Sequence, residues 1–315
     1  MSGSWHRQYS SSISCAVAHY FKKTDFVLFS ELHFSFFGIE LSSELKKWFA
    51  LDGKELCGSI QKGDKRGDAL VQAVEHKDRI TYGENFYNGK KESEIPCVRD
   101  LLKAGFANQK ISLDALHLNP ETTQLIQENQ GSYLIGIKEN QSELLEELSS
   151  LTNLIKPNNI QDNQAEKGHG RVDKRIYKSI NINDVSFDSR WRNSGFQTLV
   201  WVERSSYNCK TKLETQETSY YISNLKRENE IGNELFEAVR NHWKIETNNY
   251  IRDVSLNEDK LRTKLTKVSK IVACCRTVVV NFLSKEKLEN IKAQLELFAD
   301  DFQILIKWMK QRKFL

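Results

Sequence analysis

The sequence predicts a mixed α/β fold with an all-β block set into it. Three observations point to this. Short apolar runs alternate with stretches of helical period, in the order β-β-β-α-β-α-β, up to residue 154. Residues 155–227 then carry only strand candidates, behind a polar Gly/Asn/Gln-rich stretch at 156–170. From residue 231 the periodicity is helical again. The chain divides accordingly into an N-terminal region of weak periodicity (1–40), a first core part (41–154), a β-rich insertion (155–230), a core helix with its extension (231–259) and C-terminal helices (260–315).

Each element follows from local chemistry. Residues 42–51 begin helical and turn extended through Trp48, Phe49 and Leu51. Asp52 ends that strand, because the DGKE after Leu51 is turn chemistry. A second turn at 62–67 precedes the nearly continuous apolar strand 69–74, and a turn at 75–78 returns the chain into 79–82. A helix is expected over 93–106, capped by Ser93, with Ile95, Val98, Leu101 and Leu102 as its stripe and Pro96 in its first turn. The next strand ends at Asp114, and Asn119–Pro120 opens a helix to 128. A strand at 132–138 and a helix at 142–154 complete the first part. Strands are expected at 172–180, 196–203 and 219–223, and a helix at 231–247.

Composition narrows the function classes. The 315 residues are 39% hydrophobic and 28% charged, as in a globular protein with a sizeable core. No apolar run reaches the length of a membrane span, and the N-terminal MSGSWHRQYSSS shows no secretory apolar segment. The six scattered cysteines form no CxxC pair, which predicts reduced thiols in a cytoplasmic protein, not a disulfide framework or zinc site. A net charge of +4 permits a polyanionic partner without requiring one. Basic residues cluster at Lys260, Arg262, Lys264, Lys267 and Lys270, and again at Lys307, Lys310, Arg312 and Lys313. Either cluster is a DNA contact or a solvated face.

The candidate chemistry is acidic. In a β-β-β-α-β sheet the first strand and the strand after the helix can pair in parallel. Asp52 and Asp114 would then lie side by side at their C-terminal ends, where open α/β sheets place their sites. Leu235, Val239, Trp243 and Glu246 follow i, i+4, i+8, i+11, which puts a carboxylate on an apolar stripe. Arg240 or Lys244 are its plain partners, and His242 lies one turn away. Three carboxylates brought together repel one another, and a divalent cation reverses this. Oxygen ligands of this kind suit Mg²⁺ or Mn²⁺ and phosphoryl transfer. Three strand-end or ion-paired acids are the alternative.

Seven segments in order carry a resemblance: ALDGKELCGS (50–59), FYNGKKESE (86–94), LDALHLNPET (113–122), YLIGIKENQ (133–141), GHGRVDKR (168–175), YYISNL (220–225) and RNHWKIE with DVSLNED (240–259). They resemble the H-repeat-associated, ISAs-group DDE transposases of insertion sequences. The resemblance implies an RNase H-like mixed sheet flanked by helices, with an all-β insertion before the last catalytic helix. It implies a catalytic and metal-binding triad at Asp52, Asp114 and Glu246, holding Mg²⁺ (or Mn²⁺). The implied partners are double-stranded DNA, as terminal inverted repeats and target, and a second copy on that DNA, in the cytoplasm or nucleoid. The activity implied is strand cleavage followed by strand transfer of the freed 3′-OH, with no covalent protein–DNA intermediate.

Departures from the family are Thr247 where Asn is usual, Cys57 where Arg is common, and a shortened N-terminal region. An inactive DNA-binding relic and a nuclease without strand transfer are therefore the rival expectations. Arg240 and His242 are candidates for orienting Glu246 or contacting the scissile phosphate. Lys138, His169 and Arg171 are candidates for DNA contact, each with a solvated side chain as its alternative. His117 is expected to be a structural histidine and not a ligand, and Trp201 and Trp243 to be core, with base stacking as their alternative.

Overall fold

The computed structural model describes residues 21, 23–36, 38–42, 44–60, 62–168, 170–226, 231–263, 265–286, 288 and 290–311. After helix α1 (Phe26–Phe36), three antiparallel strands follow: β1 (Trp48–Glu55), β2 (Ala69–Glu75) and β3 (Thr81–Tyr87). Helix α2 (Lys91–Lys103) leads to β4 (Lys110–Leu113), α3 (Pro120–Glu128), β5 (Ser132–Ile137) and α4 (Ser142–Leu154). The strand block is β6 (Asn159–Asp162), β7 (Glu166–Gly168), β8 (Arg171–Asn181), β9 (Thr198–Asn208) and β10 (Glu214–Ser223). Helices α5 (Ile231–His242), α6 (Lys244–Tyr250), α7 (Thr266–Lys285), α8 (Ile291–Asp300) and α9 (Phe302–Gln311) complete the described chain. Among the described residues no helix is long and apolar enough to cross a membrane.

All ten strands join one mixed sheet in the order β3-β2-β1-β4-β5-β10-β9-β8-β6, with β7 on β8. The β1–β4 and β4–β5 pairs are parallel, and the others are antiparallel. The strand block therefore prolongs the core sheet: β10 pairs with β5, setting Ile222 against Ile135. Period-two alternation sorts the residues to two faces. Phe49, Leu51, Ile111, Leu113, Tyr133 and Ile135 meet Val98, Leu102, Ile126 and Leu148 of α2–α4 on one face. On the other face Leu134, Val200 and Val202 meet Leu235, Phe236 and Val239 of α5.

Several expected boundaries shift for local reasons. β1 runs on through Asp52 to Glu55, because Gly53, Lys54 and Glu55 pair with Val71, Leu70 and Ala69. DGKE is thus strand, and Asp52 stands inside β1. The expected helical start at 42–47 does not form. α2 begins ahead of Ser93, since Gly89 takes a left-handed φ of +71° and the Asn88 side chain accepts from the Lys90 N–H. Pro96 is consequently the sixth helical residue, on an exposed face. β9 and β10 extend well past their apolar segments as a polar hairpin, and β6 and β7 pair through backbone inside a stretch without hydrophobic signal.

The helix expected over 231–247 is two helices broken at Trp243, followed by a π-turn over Ile251–Ser255. The break re-aims the buried stripe. Past Trp243 it is Ile245, Asn248 and Arg252 that face inward, while Trp243 and Glu246 are exposed. Ile245 packs on Ala50 and Val74. Asn248 Nδ2 donates to the Arg79 carbonyl at 2.8 Å, and Lys244 Nζ to that of His76 at 2.6 Å. Glu246 is thus not on the stripe, and Trp243 is not core, whereas Trp201 is.

Arg252, wholly buried, anchors this segment. Its Nε and Nη2 donate to the two oxygens of Glu258, each at 2.8 Å, and its Nη1 to Thr277 Oγ1 at 2.8 Å. Lys54 Nζ lies 2.5 Å from Asp253 and 4.0 Å from Glu258. The lysine of the DGK segment and two acids of DVSLNED therefore close one buried ion network between β1 and the turn after α6.

Candidate active site

Strand pairing brings the two aspartates together. β1 and β4 run parallel with Trp48 opposite Lys110 and Ala50 opposite Ser112. Carried two residues further, this register sets Asp52 level with Asp114. Both share the parity of Ala50 and Ser112, so both face the α5–α6 side. β4 ends at Leu113 because Asp114 caps the following turn, its Oδ1 accepting the Leu116 N–H at 2.9 Å. The carboxylates are electrostatically coupled. Burial, then the charges of Asp114 and Glu94, push the Asp52 carboxyl up to about 7.

Glu94 was not singled out from the sequence, although it closes the FYNGKKESE segment. Its carboxylate lies against Gly53, next to Asp52 in the chain, where a Cβ would stand 2.5 Å from Glu94 Cδ. The Tyr87 hydroxyl donates to Glu94 Oε2 at 2.9 Å, and His117 Nε2 lies 3.2 Å from Glu94 Oε1. The same nitrogen is 3.8 Å from Asp114 Oδ1. His117, only 1% exposed, therefore hydrogen-bonds Glu94 and stands near Asp114, as a buried, satisfied histidine. The sequence signal for this group was the LDALH spacing, which puts His117 one short turn past Asp114.

Behind Asp114, Ser112 Oγ lies 2.8 Å from His242 Nδ1 and 2.9 Å from His76 Nε2. Burial lowers His242 to about 4, against the raising effect of Asp114. Burial likewise holds His76 down to about 3, with His242 and Lys244 adding to the shift. His242 thus packs on the strand bearing Asp114, an arrangement that does not orient Glu246.

Glu246 is the member of the expected triad that the fold does not join to the pair. It is exposed on α6, and burial is the one cause of its small upward shift, with no contribution from Asp52 or Asp114. Among the described residues no three His, Cys, Asp or Glu side chains close around one point as metal ligands. The pair itself suits a hard divalent cation, because its donors are carboxylate oxygens. Mg²⁺ or Mn²⁺ fits Asp52 and Asp114 on that ground.

The remaining candidates fall elsewhere. Lys138 is exposed at the end of β5. Arg240 pairs with Glu166, and with Arg171 it lines a hollow between α5 and the strand block. His169 lies outside the described residues, as do Lys264, Arg312 and Lys313 of the basic clusters. The first cluster does not share a helix: Lys260 and Arg262 precede α7, while Lys267 and Lys270 lie on it. Lys270 sits over the rings of Phe26 and Phe86, at 5.1 and 5.5 Å.

No family model matches the chain. It is 29% identical over 256 residues to "Putative protein YbfL" of Escherichia coli K12, covering 78% of this chain and 66% of the relative. It is 28% identical, with the same coverage, to "H repeat-associated putative transposase YhhI" of the same strain. A third relative, "Putative transposase YncI" of Escherichia coli O157:H7, is 26% identical over 242 residues, 74% of this chain and 61% of the relative. The match thus spans 61–66% of these curated relatives' own length. The resemblance drawn from the seven segments is borne out: this chain is similar to H-repeat-associated transposases.

Proposed function

We propose that this protein is an insertion-sequence transposase that cuts DNA at the element's ends and joins the freed 3′-OH to target DNA. One observation carries the reading. In a mixed sheet flanked by helices, the β1–β4 register carries Asp52 level with Asp114, the residue just past the parallel strand β4, and the charge of Asp114 acts on Asp52. The order of elements around them supports an RNase H-like core, with β6–β10 as its inserted strand block. Similarity to relatives named as transposases supports DNA as the substrate, and pairing of two element ends calls for a homodimer on DNA.

Asp52 and Asp114 would hold the divalent cation, Mg²⁺ or Mn²⁺, with Glu246 as the third carboxylate of the family pattern. When bound, such a cation activates water and stabilises a departing 3′-oxygen as a Lewis acid. The protein's own groups prepare that place. Glu94 adds negative charge beside Asp52, and His117 holds Asp114 and Glu94 in one arrangement. Ser112, gripped by His76 and His242, fixes the strand end from behind. Two carboxylates on a rigid sheet keep their spacing when substrate arrives.

A second reading follows from Glu246, exposed and uncoupled from the aspartates: a DNA-binding protein that keeps the fold without catalysis. One experiment separates the two. Purified wild type and Asp114→Asn are incubated with Mg²⁺ and DNA bearing the flanking inverted repeats, and Mg²⁺ binding is followed by calorimetry. The transposase reading expects metal-dependent nicking and joining that fall by at least about 100-fold in the variant, together with weaker Mg²⁺ binding. Binding of the DNA without cleavage by wild type would establish the second reading.

A further inference from the structure

A hollow lies between α5 and the face of β8–β10 turned towards it. Its volume is about 470 Å³, and Arg171, Arg175, Arg204 and Arg240 converge on it, with Tyr177 in its wall and Trp243 at its rim. A shallower hollow of about 190 Å³, also lined by Arg171 and Arg204, continues it along the strands. Together they form a trough.

The arginines keep donors to spare. Glu166 is shared between Arg175 and Arg240, and Asp173 between Arg175 and Arg204. Arg171 has no ion pair among the described residues, and Arg204 Nε is buried without a hydrogen-bond partner among them. Each guanidinium offers five N–H donors in a planar fork that matches a phosphate edge. Glu166 and Glu217 also line the hollow and Asp173 pairs two of its arginines, so four cations face three carboxylates and one positive charge is left over.

Trp243 gives the trough a second chemistry. The break between α5 and α6 leaves its indole 56% exposed, where an uninterrupted helix would have turned it inward. Large exposed aromatics beside arginines suit the π-face of an unpaired base, since bases within a duplex are already stacked. Trp243 follows His242 in the chain, and His242 bonds Ser112, two residues before Asp114.

We propose that this trough binds single-stranded nucleic acid, with backbone phosphates on Arg171, Arg204 and Arg240 and an unpaired base stacked on Trp243. This rests on the transposase reading, in which strands separated near a cut end need a place beside the acids. An acidic peptide could also satisfy arginines, but it would leave the indole unused.

The test measures anisotropy of a fluorescein-labelled 12-nucleotide oligothymidylate, and of a labelled 20-base-pair duplex, in EDTA. Wild type, Trp243→Ala and Arg171→Ala are compared; both side chains are exposed, and matching melting curves show that each variant folds. Trp243→Ala should weaken single-strand binding by about 5–100-fold, with a smaller effect on the duplex. Arg171→Ala should reduce the slope of log affinity against log salt by about 0.7. Wild-type affinity in both variants overturns the proposal, as does equal displacement of the oligonucleotide from wild type and Trp243→Ala by polyglutamate. Unchanged strand binding in the variants, with Mg²⁺-dependent cleavage lost in Asp114→Asn, removes the trough and keeps the transposase. Cleavage intact in Asp114→Asn, with strand binding lost in Trp243→Ala, does the reverse.

Discussion

Replacing Glu258 by Gln should unfold this protein more readily than any single exposed ion-pair change. Glu258 is 3% exposed and serves three cations: both oxygens take Arg252 at 2.8 Å, Arg276 lies at 3.7 Å and Lys54 at 4.0 Å. Among the described residues Arg252 contacts no other carboxylate, its remaining partners being Thr277 Oγ1 and the Ala273 carbonyl. Glutamine keeps the shape and one acceptor, yet leaves a guanidinium buried without its charge partner. Breaking a buried pair in this way costs about 3–5 kcal/mol. The exposed Arg240–Glu166 pair, by contrast, contributes below about 1 kcal/mol.

Urea unfolding followed by tryptophan fluorescence reads the difference. With a slope near 3 kcal/mol/M, the midpoint should fall by about 1–1.7 M. The double variant Glu258→Gln/Arg252→Met should recover part of that loss, because the stranded cation goes with it. A single-variant loss under about 1 kcal/mol, or a double variant worse than the sum of the singles, would show that the network is not what anchors the turn after α6.

Two further outcomes follow from the same geometry. His76 is buried, with a pKa of about 3 in the fold against an ordinary 6.5, so below pH 6.5 the unfolded chain takes up a proton that the folded chain refuses. Its contribution is fully present above pH 6.5 and is lost as pH falls towards 3, about 2 kcal/mol by pH 5; His76→Gln should flatten that part of a stability–pH curve, and an unchanged slope would count against it. Among the described residues Asp259 Oδ1 is buried without a hydrogen-bond partner, and burial, the Asp259 charge and a hydrogen bond between that carboxylate and the Cys57 thiol together raise the thiol. Cys57→Arg should give it a counter-charge and raise stability by about 1–2 kcal/mol in thermal unfolding, whereas a fall would show that the site cannot house a guanidinium.

Elements announced by local chemistry were legible in the sequence. The helix from Pro120 to Glu128 starts where Asn119 caps and proline follows, and both of its ends match the expectation. The strand before Asp114 was equally plain. What escaped depended on partners distant in the chain. DGKE reads as a turn until β2 is available to pair with it, and β6 and β7 have only the exposed Ile160 as an apolar residue to betray them. The helix through Glu246 kept a regular stripe on paper. The fold breaks it at Trp243, because Asn248 and Lys244 find backbone carbonyls at the end of β2 and the start of β3.

The candidate site divides along the same line. Strand-end position and register were enough to suggest that Asp52 and Asp114 meet. Glu94 and His117 join them from other elements, across 42 and 65 positions from Asp52, and no periodicity links such residues. The LDALH and FYNGKKESE segments were the available hints, and each was noticed only as a resemblance.

Gly53 has a consequence for how this chain can vary over generations. The space a side chain would need at position 53 is already taken by the Glu94 carboxylate and the Tyr87 hydroxyl, 2.5 and 2.6 Å from where a Cβ would stand. Drift at position 53 is therefore tied to position 94: the smallest addition to one displaces the other's charge from Asp52. Two residues far apart in sequence, neither of them one of the paired aspartates, thus share one space beside the site.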